Sequence, residues 1–266
     1  MAIFKTKNHE FELGKKTYIM GILNVTPDSF SDGGEYLNIE CAINKALDIQ
    51  NCGADILDIG AQSTRPGYTK ISPDEELKRI IPILTALQGQ LHIPISIDTF
   101  YPEVALESTK YDIDIINDVS GFRDKRMYAI MLESNCGAII MHDMPGTNIK
   151  PFFEEKLLEA KKIGINPNRI CFDPGIGFSK TYEENIYIIK HLNKYIIPDC
   201  AMLIGASRKR VIGQSCGNPE FKQRTAGTIA AHTIAINGGV DFIRVHDVSE
   251  SVQAAKVADS ILRNTY

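Results

Sequence analysis

The chain predicts an α/β fold, a closed (β/α)8 barrel formed as one domain over residues 1–266 and entered through a short N-terminal β-hairpin. Three observations carry that expectation. Eight short runs rich in Ile, Val and Leu recur along the sequence, each too short for a helix and suited to a parallel strand buried on both faces. Amphipathic helical patterns separate the runs with no break in composition. Each run ends in polar residues, as strands do at the active end of a TIM barrel. An open doubly wound sheet is the alternative, but the GxGxxG loop that would favour it does not follow the first strand.

In chain order, residues 2–15 alternate weakly and read as the hairpin. The eight strand runs are Thr17–Val25, Ala54–Gly60, Ile93–Thr99, Asp114–Val119, Gly137–His142, Arg169–Asp173, Ala201–Ala206 and Asp241–Val245. Between the first two, Ile39, Ala42, Ile43, Ala46 and Ile49 recur at spacings of three and four, which predicts a helix over Ile39–Gln50. Ser72-Pro73-Asp74-Glu75 reads as an N-cap, a proline in the first turn and a capping-box glutamate. Thr181-Tyr182-Glu183-Glu184 repeats the box, and Asn218-Pro219 reads as a further helix start.

Bulk properties exclude several functions. A formal net charge of −4 gives no nucleic-acid platform, so any anion site must be local. Cys41, Cys52, Cys136, Cys171, Cys200 and Cys216 show neither CxxC pairing nor regular spacing, which argues against a disulfide framework or zinc knuckle and for a reducing, cytoplasmic setting. The polar stretch Met1–Lys16 lacks the apolar core of a secretory leader, and no run approaches the roughly 18 apolar residues of a membrane span.

A barrel gathers the polar ends of its strands at one mouth. Here they are Asn24; Gln62 with Ser63, Thr64 and Arg65; Asp98; Asn117 and Asp118; His142 and Asp143; Asp173; Ser207 to Arg210; and Arg244, His246 and Asp247. Isolated carboxylates and amides, beside cations from three strands, suit a ligand with a polar ring at one end and a phosphate or diphosphate at the other. Taken singly, most have plainer readings. Asp28, Asp32 and Asp173 fit turns, Asp98 a helix N-cap, and Ser207 to Arg210 a solvated basic corner. His142 and His246 fit satisfied groups behind a site, and His232 a core or interface position on an apolar helix.

Seven blocks, ILNVTPDSFSDGG, DIGAQSTRPG, SIDT, INDVSG, DPGIGF, GASRK and RVHDV, span nearly the whole chain on successive strands. In that order they closely resemble the dihydropteroate synthases, the folate-pathway family inhibited by sulfonamides. The resemblance implies a (β/α)8 fold and condensation of 4-aminobenzoate with 6-hydroxymethyl-7,8-dihydropterin diphosphate. It places Asp98, Asn117, Asp173 and Lys209 around the pterin and makes Asn24 the ligand of Mg2+. Asn24, Arg65, Arg244 and His246 match the diphosphate site, and Phe30, Thr64, Pro66, Phe178, Lys209 and Arg210 surround 4-aminobenzoate. Asp98, Lys209, Arg65, Arg244 and His246 match the catalytic set, and a homodimer through the late helices is implied.

Three positions depart from the commoner family pattern: Gln62 where Glu is frequent, Asp143 after His142, and Arg210 where Ser is frequent. Rival functions are a pterin-binding methyltransferase domain, which needs no diphosphate site, and a catalytically silent pterin-binding paralogue. A class I aldolase is a further rival, with Lys209 as Schiff-base lysine and Arg208 and Arg210 lowering its pKa.

Overall fold

The computed structural model describes residues 2–25, 35–62 and 70–263, with the side chains of 35–38 left aside. Strands β1 (Ile3–Lys5) and β2 (Glu10–Glu12) pair antiparallel, with Phe4 opposite Phe11. Eight parallel strands follow: β3 (Tyr18–Asn24), β4 (Ile56–Gly60), β5 (Ile95–Asp98), β6 (Ile115–Asp118), β7 (Gly137–Met141), β8 (Ile170–Asp173), β9 (Ala201–Ile204) and β10 (Phe242–Val245). They close into a barrel in chain order, β10 pairing with β3 through Phe242 opposite Tyr18. Every barrel strand lies within one of the eight predicted runs.

Helices wrap the barrel: α1 (Glu35–Asn51), α2 (Pro73–Leu87), α3 (Pro102–Ser108), α4 (Arg126–Ser134), α5 (Ile149–Lys162), α6 (Tyr182–Lys190), α7 (Arg210–Ser215), α8 (Thr225–Asn237) and α9 (Val248–Leu262). One helix thus follows each strand, with the six-residue α7 added between β9 and α8. The Thr181 capping box forms in both directions, Thr181 Oγ1 accepting from Glu184 N and Glu184 returning to Thr181 N. Ser72 caps α2 in one direction only, because Glu75 turns its carboxylate to Arg79 at 2.9 Å. An i,i+4 partner thus takes the acid that sequence spacing assigned to the cap. Asn218-Pro219 does not start a helix. Asn218 adopts a left-handed φ of 58° and donates its N–H to Gly213 O at 2.7 Å, so the pair closes α7, and α8 begins at Thr225. Asp98 is not a cap either, since Tyr101 holds that position before α3.

Two apolar cores follow from the period-two alternation of the strands. Outward residues such as Ile19, Leu57, Ile97 and Ile116 pack against the helices. Met20, Ile56, Ile115, Ile139, Cys171, Leu203 and Phe242 form the second core, together with Phe4 and Phe11 from the hairpin. The hairpin therefore plugs the N-terminal end of the cylinder. Phe242 lies 5.5 Å from Phe4 and 5.2 Å from Tyr18, ring centre to ring centre. Acids at this end hold backbone: Asp114 Oδ1 accepts from Asn8 N at 2.9 Å and Thr6 Oγ1 at 3.0 Å. Asp259 likewise accepts from Thr17 N at 2.6 Å.

Candidate active site

Two residues beyond the apolar floor, the same inward row of the strands turns polar. Ile56 is followed at i+2 by Asp58, Ile115 by Asn117, Cys171 by Asp173 and Phe242 by Arg244, while Asp98 ends β5. These side chains meet. Arg244 Nε donates to Asp58 Oδ2 at 2.6 Å and its Nη2 to Asp98 Oδ2 at 2.7 Å. Asn117 Nδ2 lies 3.3 Å from both Asp58 oxygens. Gly205 leaves the space between Arg244 and Asp173 unfilled: a Cβ there would lie 3.7 Å from Arg244 Cβ and 3.9 Å from Asp173 Oδ2.

Electrostatics set this layer apart. Burial pushes the Asp98 carboxyl up to about 7, against Arg244 and with the help of the nearby acids Asp58, Glu76 and Asp118. Burial also raises Asp173, opposed chiefly by Lys209 and by the Gly175 N–H, which donates to Asp173 Oδ1 at 2.7 Å. The turn reading of Asp173 is therefore half right: one oxygen serves the turn.

Lys209 reaches the mouth because of the backbone before it. Arg208 sits at φ 56°, a left-handed conformation that costs a non-glycine residue about 1–2 kcal/mol. Thr228 Oγ1, accepting from Arg208 N at 2.9 Å, and Arg224, donating to Arg208 O at 3.1 Å, hold it there. Arg208 then pairs with Asp247, while Lys209 donates to the Ile176 carbonyl at 2.5 Å and lies 4.5 Å from the Phe178 ring centre. Burial pushes the Lys209 ammonium down to about 8. The basic run is thus no single cluster: Arg208 is paired with Asp247, Lys209 is inward and Arg210 is exposed. Burial, helped by Arg244 and Lys180 rather than by Arg208 and Arg210, lowers Lys209.

The loop after β8 is built to receive it. Gly175 has φ +71°, and a Cβ there would meet the His142 carbonyl at 2.1 Å. Lys180, which sequence reading missed, ties the turn by donating to His142 O at 2.8 Å and Gly175 O at 3.2 Å. Burial pushes its ammonium down to about 8. His142 is buried and edge-on to Phe152, and burial drives its pKa to about 4; its Nδ1 has no partner among the described residues, so it is not the satisfied group expected. His232 is structural as expected, its Nε2 accepting from Ala206 N at 3.2 Å.

Asn24 is half-buried at the end of β3, opposite Gly60. His246 places Nδ1 3.0 Å from Ser207 Oγ, and its backbone N–H donates to the same oxygen at 3.1 Å. Phe30, Thr64, Arg65 and Pro66 lie outside the described residues, as do Asp28 and Asp32. Gln62 accepts from Ile71 N at 2.8 Å, and Asp143 pairs with Arg123 at 2.6 Å. Outside this layer a cleft of about 740 Å³ opens between Lys70, Phe100, Arg123, Asp143, Phe178 and Ser179.

Residues 20–246 match the family of pterin binding enzymes. A dihydropteroate synthase of Clostridium beijerinckii is 41% identical over 97% of this chain and 99% of its own length. The chain belongs to the dihydropteroate synthase family of pterin-binding enzymes. Among solved family members, the dihydropteroate synthase of Clostridium difficile, crystallised in the presence of pteroic acid, superposes with a TM-score of 0.91. It is 44% identical, covering 95% of this chain and 99% of that one. The Xanthomonas albilineans synthase with 4-aminobenzoic acid gives a TM-score of 0.88 at 38% identity, over 93% of this chain and 94% of that one. Of the residues the family resemblance selects, Asp98, Asn117, Asp173, Lys209 and Arg244 converge on one mouth. Asp58, the first residue of the block DIGAQSTRPG, was given no role because it stands inside the apolar run Ala54–Gly60 rather than at its end; the detectable signal was a charge two residues beyond an inward Ile.

Proposed function

We propose that the chain condenses 6-hydroxymethyl-7,8-dihydropterin diphosphate with 4-aminobenzoate, giving 7,8-dihydropteroate and pyrophosphate. The observation that carries this reading is the single polar layer of Asp98, Asn117, Asp173 and Arg244, roofed by Lys209, in a chain matching dihydropteroate synthases over nearly its full length. Asp173 has Oδ2 to offer the guanidine-like edge of the pterin, since Gly175 takes Oδ1. Asn117 offers its carbonyl to the ring, and Lys209 serves the ring carbonyl.

The methylene–oxygen bond breaks and its electron pair leaves with the diphosphate. The electron-rich dihydropterin carries the developing cation, which the Asp98 carboxylate stabilises. The lone pair of the neutral aromatic amine then forms the carbon–nitrogen bond, and the amine proton passes to water. No protein nucleophile is needed. Arg244, Arg65 and His246 receive the anion, Arg through its planar fork. Phe178, with Phe30, Thr64, Pro66 and Arg210, flanks 4-aminobenzoate. Because Asp98 acts ionised, turnover should rise as pH climbs through about 7.

Asn24 fits a hard cation as a half-buried amide oxygen, and among the described residues no cluster of three acids, histidines or cysteines competes for the ion. Such an ion is held by few protein oxygens together with water and substrate phosphates. Mg2+ bound there supplies charge to the departing diphosphate. We further propose a homodimer: Ile234 on α8 and Val257 and Ile261 on the neighbouring α9 are 52%, 62% and 73% exposed. Among the described residues no helix is long and apolar enough to cross a membrane. Six unbridged cysteines suit the cytoplasm. The testing experiment follows pyrophosphate release with dihydropterin diphosphate and Mg2+, with and without 4-aminobenzoate. Release coupled to 4-aminobenzoate is expected, and no release would refute the reading.

A further inference from the structure

We propose that Asp58 is a positioning residue for this transfer, holding the Arg244 guanidinium across the mouth and turning the Asn117 amide so that its carbonyl faces the ring. The inference rests on the functional reading above and gives a role to the residue that opens the DIGAQSTRPG block, to which that reading assigned none. Asp58 is fully buried, and a carboxylate taken out of water needs partners that repay its desolvation. Its partners mark it out from the acids at the other end of the barrel. Asp114, Asp241 and Asp259 accept from backbone N–H groups, so they hold the chain together. The hydrogen bonds of Asp58 go to two side chains, Arg244 and Asn117, both in the polar layer.

The geometry gives each bond a consequence. A guanidinium has five N–H groups in a rigid fork and favours two-point pairing with one carboxylate. Asp58 takes Nε and Asp98 takes Nη2, so Arg244 is shared between two acids and cannot fork fully onto Asp98. That leaves Asp98 with charge to offer a cation and Arg244 with N–H groups to offer an anion. Asn117 spends amide hydrogen on Asp58, which directs its Oδ1 the other way. Without the Asp58 charge, Arg244 would collapse onto Asp98, and the Asn117 amide could flip.

The test compares wild type with Asp58→Asn, which changes charge but almost no volume, and with the smaller Asp58→Ser in case the amide folds poorly. Pyrophosphate release is measured across pH with dihydropterin diphosphate, Mg2+ and varied 4-aminobenzoate, and thermal melting checks folding. The expected result is a kcat lower by about 30-fold at pH 8, the scale of one charge-assisted contact, with KM for 4-aminobenzoate held within about two-fold. A second readout separates positioning from mere structure. Asp98 faces Arg244 of β10, Asp58 of β4, Glu76 of α2 and Asp118 of β6. Removing one of its negative neighbours makes Asp98 ionise more easily, so the acid limb of kcat should move to lower pH. Unchanged kcat with an unmoved acid limb in a folded variant would overturn the assignment. A wild-type protein that releases no pyrophosphate would instead remove the functional reading, and this inference with it.

Discussion

The two ends of the barrel use the same kinds of residue to opposite purposes. At the hairpin end, Phe4, Phe11, Tyr18 and Phe242 fill the cylinder, and Asp114, Asp241 and Asp259 are tied to backbone N–H groups. At the mouth, the inward row carries Asp58, Asp98, Asn117 and Arg244 bonded to one another, and Asp173, which gives only one of its oxygens to a backbone N–H. One end repays the entropy of folding; the other spends stability on buried charge that only a ligand can fully use. The comparison teaches that an acid's partner, rather than its burial, separates a structural carboxylate from a working one.

The sharpest way to break this division is at the floor. Phe242→Ala removes a ring buried against Phe4, Phe11 and Tyr18, and should cost about 4 kcal/mol in chemical unfolding. The kcat of the remaining folded enzyme should be unchanged. A lost kcat with intact stability would show that the floor takes part in chemistry.

Next in size is the cost of acids near the mouth. Glu76 is fully buried, neither of its oxygens has a hydrogen-bond partner within bonding geometry among the described residues, and burial pushes it up to about 7 against the pull of Thr99 and Arg79. A carboxyl raised in the folded state stabilises at low pH, and that contribution is lost as pH rises toward its folded value. Glu76→Gln should therefore stabilise the protein by about 3 kcal/mol at pH 8 and hardly at all near pH 4. Equal effects at both values would contradict the assignment. Histidines act in the opposite sense. His142 and His232, held by burial near 4 and 3, stay neutral when folded, so their contribution disappears as pH falls from 6.5 through those values.

The smallest expected effect lies outside both ends. Thr181→Ala removes one half of the α6 capping box and should lower stability by about 1 kcal/mol, with no change in turnover. A large loss of activity would mean that α6 positions the loop carrying Gly175, Phe178 and Lys180.

Much of this architecture was legible because strand burial and helix amphipathicity are local signals. The eight apolar runs contain all eight barrel strands, and Thr181 announces its own cap. What was not legible depends on partners distant in sequence. Glu75 left its box for Arg79, Asn218 closed a helix instead of opening one, and Arg208 turned to pair with Asp247. Asp58 was hidden because the end of a strand marks the mouth in sequence, whereas inward direction is set by alternation. Its partners, Asn117 and Arg244, lie 59 and 186 residues away along the chain. Lys180 carries no motif of its own; only the fold reveals the carbonyls it joins.

The most direct test of the division is the single-turnover rate of carbon–nitrogen bond formation in Asp98→Asn loaded with dihydropterin diphosphate and mixed with 4-aminobenzoate. The account predicts a folded variant that still binds the pterin but forms the bond about 1,000-fold more slowly, equivalent to about 4 kcal/mol of lost transition-state stabilisation. A rate near that of wild type would contradict it.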